Sequence, residues 1–405
     1  MLTIFIVLIA LSVIILFHEG GHFIFSKLAK IKVEEFGLGY PPRMIGLVKI
    51  KKNKKWKIFF GKKQPGEEEV CSTIYSLNWI PFGGFNKIKG EDISSVEKKD
   101  EQGKEILDAD NFYARPWWQR FFSLSGGIIM NVILAMILFS FAFMVGVPTA
   151  AEEKDLGKNF FIKEQGIQII TAQKDSPAEK AGLMPGDFIS SVDGQTMTEI
   201  KILQDYINQK VDQEIGLTIK RGERELNFSV VPLRIEEIFS QEESVDHSPG
   251  SGVIGVALLE TKVVSYPFFS AIWQGVKTAI SMFGQVVQGV YLILKELLVS
   301  QKMVGEAVGV VGIATFIGDA YQIGFIYLIQ FIGLISIAIA VCQLIPFPAL
   351  DGGRLLFLFI GVFRGKPISR KTEAIVHSVG FSLLLLLMVF ITYKDLVRLG
   401  DRLFK

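Results

Sequence analysis

The chain has 405 residues, half of them hydrophobic, including 33 Phe, and only 21% charged, so its charges must be segregated into particular segments. A net charge of +2 argues against a nucleic-acid partner. Two cysteines, Cys71 and Cys342, with no Cys-x-x-Cys, support neither a disulfide framework nor a cysteine zinc site.

The first element, residues 1–28, is an apolar run, Leu2–Phe17, that leads directly into His18-Glu19-Gly20-Gly21-His22. It lacks a basic leader and an Ala-x-Ala cleavage site, so it reads as an uncleaved first membrane span. Lys27, Lys30 and Lys32 follow it, which sets its N-terminus outside by the positive-inside rule. On a helix, His18 and His22 share one face at i and i+4 with Glu19 between them, the pattern of a zinc peptidase. A coincidental polar cluster is the competing reading. Against it stands the cost of ionisable groups within a membrane segment, which makes function the default expectation.

Residues 29–118 carry 17 Lys and Arg against 13 Asp and Glu, whereas residues 147–264 carry 12 against 20. The first segment is therefore expected in the cytoplasm, as a membrane-associated β region, and the second outside. Residues 119–146 form a second expected span, containing Asn131. Residues 160–235 alternate apolar and polar with glycine turns, and Asp175–Asp187 continuing to Gly194 resembles the PDZ signature. A PDZ domain captures extended chain ends at a sheet edge, so a peptide C-terminus is a candidate partner; a packing module is the alternative.

Residues 236–264 read as a linker, and 265–300 as an amphipathic interfacial helix because polar residues such as Gln274, Lys277 and Lys295 interrupt it. A third span is expected over 323–353, ending in Gln343-Leu344-Ile345-Pro346-Phe347-Pro348-Ala349-Leu350-Asp351-Gly352-Gly353, and a fourth over 374–394. Prolines free backbone groups at membrane depth, which is tolerable only beside a buried site or cavity. Asp351 is thus the candidate third ligand for a zinc held by His18 and His22, and a plain Asp-Gly-Gly turn is the other reading. His377 and His247 read as an interfacial or packing residue and a solvated one. Asp319 and Glu306 flank the third span and read as caps or solvated charges, with the lining of an access path as the alternative.

The His18–His22 motif, the Leu350–Gly353 run, a PDZ insertion, Phe36–Gly39, Pro81–Glu91 and Gly126–Asn131 together resemble the site-2 protease family of intramembrane zinc metalloproteases. Its bacterial regulated-proteolysis branch is the nearest likeness. The resemblance implies Zn²⁺ on His18, His22 and Asp351, with Glu19 as general base. It implies substrate contacts from Gly83, Gly84, Asn131 and Gln343, although the family carries Asn where this chain has Gln343. For Asn131, a helix–helix hydrogen bond is the competing role. The implied substrates are single-span membrane proteins, of the anti-sigma-factor or signal-peptide-remnant type. The expected whole is a multi-pass α-helical protein of the bacterial cytoplasmic (inner) membrane. It would have about four transmembrane helices, membrane-associated β segments and an inserted extracytoplasmic PDZ domain of α+β type. A catalytically silent membrane scaffold is the alternative from another class. A transporter would require inverted hydropathy repeats, which the sequence lacks.

Overall fold

With no Pro or Gly before position 20, the N-terminal apolar run winds into one long helix, α1 (Leu2–Leu28), in a computed structural model of the chain. The structure describes residues 2–51, 54–61, 72–91, 107–150, 156, 159–197, 199–222, 224–238, 251–299, 309–366 and 368–403. Cys71, His247 and Glu306 lie outside the described residues. Two compact units result: Met1–Met136 with Ala279–Phe316 and Ile332–Lys405, and Ile137–Thr278 with Ile317–Phe331.

After α1, three strands form a sheet in the order β2-β1-β3: β1 (Val33–Lys49), β2 (Trp56–Phe60) and β3 (Ile74–Ile88). Both the start and the end of β3 pair with β1, so that Leu38 faces Leu77 on one side and Gly84 on the other. The sheet turns Trp56, Ile58, Phe60 and Trp79 outward, a surface suited to a bilayer interface rather than to water. The buried Arg43–Glu35 pair braces β1 from within. Asn111 then caps a short turn at Phe112–Ala114, and Pro116 precedes α2 (Trp117–Val145).

The second unit is a sheet domain. Its elements are β4 (Val147–Thr149), β5 (Phe161–Ala172), α3 (Pro177–Ala181), β6 (Phe188–Val192), β7 (Gln195–Thr196), α4 (Ile200–Gln209), β8 (Ile215–Arg221) and β9 (Arg224–Val230). There follow β10 (Leu233–Arg234), α5 (Ile235–Ile238), β11 (Gly252–Val253) and β12 (Val256–Ser265). Alternation drives the sheet: Ile167, Ile169, Ile189, Ile215, Leu217 and Ile219 all point into its core. Ser176 caps α3 through the Glu179 N–H, and Gly182, at φ +87°, ends it in the left-handed conformation that glycine adopts without strain. Buried Asp187 accepts from Arg221 and from the Met184 N–H, which locks the turn before β6.

The expected linker 236–264 is corrected here. Its last third is β12, which lies in the sheet between β4 and β5. The Ser/Glu/Gly-rich composition of residues 239–250 masked the strand pattern that follows.

The remaining helices are α6 (Phe268–Val299), α7 (Val310–Ile323), α8 (Phe325–Leu344), α9 (Asp351–Phe363) and α10 (Arg370–Leu403). Among the described residues, five helical segments are long and apolar enough to cross a membrane, not four: Thr3–Leu28, Trp117–Val145, Phe268–Glu296, Phe325–Leu344 and Arg370–Asp395. The additional one is in α6. It was expected at the interface because of its scattered polar residues; unbroken over 32 residues, it rises ~48 Å, long enough to span as well. The single span expected over 323–353 is instead the end of α7, a break at Gly324, α8, a loop, and the start of α9.

Asp395, nearly buried within α10, accepts from the backbone N–H groups of Gly309 (3.0 Å) and Gly312 (3.1 Å) and so caps α7 from outside. Asp395→Ala leaves both donors without that acceptor, at a cost of about 1–3 kcal/mol. Thermal unfolding in detergent is expected to show a midpoint several degrees lower; an unchanged midpoint would remove Asp395 from this role.

Candidate metal centre

The site begins with glycines that let two helices touch backbone to backbone. Gly21 on α1 faces Gly126 on α2 so closely that a Cβ on either would overlap the other's carbonyl. One residue on, a Cβ at Gly127 would stand 2.5 Å from both His18 Cε1 and His22 Nε2. The histidines therefore lie across the bare backbone of α2. Ser26 and Ser123 hydrogen-bond at 2.6 Å and fasten the same crossing.

His18 and His22 are 8% exposed each, and their Nε2 atoms are 3.3 Å apart. Asp351 Oδ2 lies 3.3 Å from His18 Nε2 and 3.1 Å from His22 Nε2. Bonds of about 2.0–2.1 Å in tetrahedral geometry separate ligand atoms by about 3.3 Å, so this triangle has the dimensions of a zinc site. The outer contacts agree. His22 Nδ1–H donates to the Ser123 carbonyl at 2.9 Å, which leaves Nε2 with its lone pair facing the triangle.

Asn131 supplies the corresponding contact for His18. Its amide lies 3.3 Å from His18 Nδ1, while its Oδ1 is buried without a hydrogen-bond partner among the described residues. Exchanging the amide's O and N, a standard reassignment, lets His18 Nδ1–H donate to Oδ1 and leaves Nε2 with its lone pair facing the triangle. Asn131 is fully buried, with its amide facing the histidine. Its backbone carbonyl also accepts from Ser336 on α8 at 2.8 Å.

Asp351 arrives from a tight loop. Gln343 Oε1 accepts the Asp351 N–H at 3.2 Å, so this carboxamide holds the start of α9. Gly352 and Gly353 pack against the carbonyls of Ile345 and Phe347, where no side chain fits. Ala349 sits at φ +84°, a left-handed conformation uncommon for a residue with a Cβ, and its N–H donates to His377 Nδ1 at 2.9 Å. His377, expected to be an interfacial or packing residue, thus holds the turn that presents Asp351.

Glu19 projects beside the triangle. Asn86 on β3 donates to its backbone carbonyl and, at 3.3 Å, to its Oε2. Gly83 and Gly84 keep β3 close to α1: a Cβ at Gly84 would meet Glu19 Cγ at 3.6 Å, and Gly83 stands at φ +75°. A cavity of about 450 Å³ opens over this group, lined by His18, Glu19, His22, Gly84, Gln343 and Asp351 among others. The structure thus brings His18, Glu19, His22, Asp351, Gly84 and Gln343 to one cavity and buries Asn131 behind it. Sequence reasoning missed Asn86, Gly127 and His377. Asn86 and Gly127 carried a signal, lying inside the Pro81–Glu91 and Gly126–Asn131 motifs, whereas His377 depends on contacts between distant segments.

Comparison with known proteins points the same way. The profile of peptidase family M50 matches residues 6–387. The Bacillus subtilis protein named regulator of sigma-W protease RasP is 27% identical, covering 98% of this chain and 99% of its own. The zinc metalloprotease RasP of Bacillus licheniformis is likewise 27% identical, over 98% and 99%. Among solved structures, the PDZ domain of an SdrC-like protein from Listeria innocua is 28% identical, covers 24% of this chain and 92% of its own, and gives a TM-score of 0.19.

Proposed function

The chain belongs to peptidase family M50, the site-2 proteases, and on that premise we propose that this zinc metalloprotease of the membrane cuts peptide bonds inside transmembrane segments. The observation that carries the proposal is the ligand triangle of His18, His22 and Asp351, borne by an apolar helix and the loop after another.

The assigned roles follow from chemistry. His18, His22 and Asp351 hold zinc, and Glu19 is the general base. Zinc held by these three residues would supply Lewis acidity for the scissile carbonyl and the attacking water. Glu19 takes the proton of that water and returns it to the leaving amine nitrogen. Asn86 keeps the carboxylate aimed by hydrogen bonding to Oε2. A helical substrate hides its carbonyls in internal hydrogen bonds and must unwind before attack. The last part of β3, Gly84–Ile88, pairs with β1 on one side only, and its other edge suits an unwound substrate strand. Gly83 and Gly84 leave room for that strand beside Glu19.

We assign as substrates single-span membrane proteins of the anti-sigma-factor or signal-peptide-remnant type. The name of the Bacillus subtilis relative, which refers to a sigma factor, supports the first. Charge asymmetry supports a cytoplasmic-membrane protein with the basic 29–118 segment inside and the sheet domain outside, where it can bind peptide ends.

The test is a panel of single-span substrates incubated with the detergent-purified chain, with products sized by mass spectrometry. Cuts inside the span are expected, with at least a hundredfold loss of rate after treatment with 1,10-phenanthroline and recovery on adding zinc. No product from any substrate, or cutting indifferent to the chelator, would overturn the assignment.

A further inference from the structure

Behind the catalytic cavity lies a second one of about 400 Å³ that the reaction described above does not use. The two share Glu91, Leu124 and Arg354 as walls. Arg354 stands one helical turn after Asp351 on α9 and is ion-paired with Glu91. The rest of the second cavity's lining includes Tyr113, Arg120, Arg370, Glu373 and His377.

The chemistry of this lining is one-sided. Three guanidinium groups face two carboxylates, leaving an excess of positive charge. The carboxylates already have partners: Glu91 pairs with Arg354, and Glu373 accepts from the Tyr113 hydroxyl at 3.0 Å. Arg120 and Arg370 stack on Tyr113, with guanidinium carbons 4.8 and 4.2 Å from the ring centre. Two buried nitrogens, Arg120 Nε and His377 Nε2, have no hydrogen-bond partner among the described residues. Because His377 Nδ1 accepts from Ala349, its Nε2 carries the proton and is a donor. Both orphans are therefore donors, carried by residues that line one cavity, and buried donors call for an acceptor. A planar oxyanion suits guanidinium groups best.

We propose that this cavity is an oxyanion site that receives the carboxylate released when the peptide bond is hydrolysed. The proposal rests on the protease reading: water adds across the bond, so each turnover makes one carboxylate and one amine beside Asp351. The shared wall at Arg354 gives the carboxylate a cationic step toward Arg120 and His377. Inorganic or lipid phosphate offers the same acceptor chemistry, and the wall shared with the catalytic cavity favours the product.

The experiment measures binding, not turnover, so its outcome is separable from that of the cleavage assay. An N-acetylated tetrapeptide of Ala and Leu, made as free acid and as C-terminal amide, is titrated calorimetrically into the full chain in detergent. The acid is expected to bind about tenfold more tightly than the amide. Arg120→Gln should erase that advantage while leaving amide binding unchanged, and Arg370→Gln serves if the first variant fails to fold. Inorganic phosphate is titrated in parallel. Equal binding of acid and amide, or an acid advantage that survives the substitution, would overturn the proposal. So would Arg120-dependent phosphate binding without any acid preference, which would make this a phosphate site.

Discussion

Gly127→Ala is expected to cost the protein its zinc. The added methyl would stand 2.5 Å from His18 Cε1 and His22 Nε2, inside the space those rings need. The atoms in its way are the proposed ligands themselves, whose rings are held to the same face of α2 one turn to either side, by Ser123 and Asn131. One helix must shift, and the Gly21–Gly126 contact leaves the backbones no slack to do so. Perturbing the groups that orient a ligand typically lowers metal affinity about 10–100-fold, and displacing two ligands should reach at least the upper end. Bound zinc, measured by mass spectrometry after dialysis, should fall from about one per chain to less than a tenth of that, and cleavage with it. Gly20→Ala is the control, because a Cβ there meets nothing within 4 Å and alanine favours the helix. Equal zinc in both variants would contradict this account of the crossing.

That prediction shows what sequence could and could not supply. His18, Glu19 and His22 were legible because i, i+4 spacing is a local property of a helix, and Leu350–Gly353 marked Asp351 because prolines and paired glycines are rare at the end of a span. Gly126 and Gly127 were visible only as part of a family motif. Their physical role, a bare backbone under two imidazoles, exists only once α1 and α2 cross. Gln343 and Asn131 were expected to meet substrate. In the structure Gln343 accepts the Asp351 N–H while lining the cavity, and Asn131 lies buried beside His18 Nδ1, contacts that exist only in the folded chain. His377 looked bland for a related reason: its partner is the N–H of Ala349, and no side-chain pattern reveals that a backbone donor has been left over by a left-handed turn. The sheet domain was legible from its alternation, yet β12 was not, since it joins the sheet only after an intervening polar stretch.

Glu19→Gln should separate the metal from the chemistry. Gln keeps nearly the same volume and still offers Asn86 an oxygen to donate to, so the packing of β3 against α1 is preserved. Neither His18 nor His22 depends on the carboxylate for its outer hydrogen bond, those being supplied by Asn131 and Ser123. Zinc content is therefore expected to stay near one per chain. What disappears is the ability to accept a proton from water and hand it to the leaving nitrogen. An amide does neither, and loss of a positioned general base costs about 10²–10⁴ in rate. The loss should appear in kcat with little change in KM, because the substrate strand meets β3 and not Glu19. Cleavage within about threefold of the parent would take Glu19 out of this role. Loss of zinc along with activity would instead make Glu19 part of the ligand set, a result that the 3.1–3.3 Å triangle of His18, His22 and Asp351 argues against.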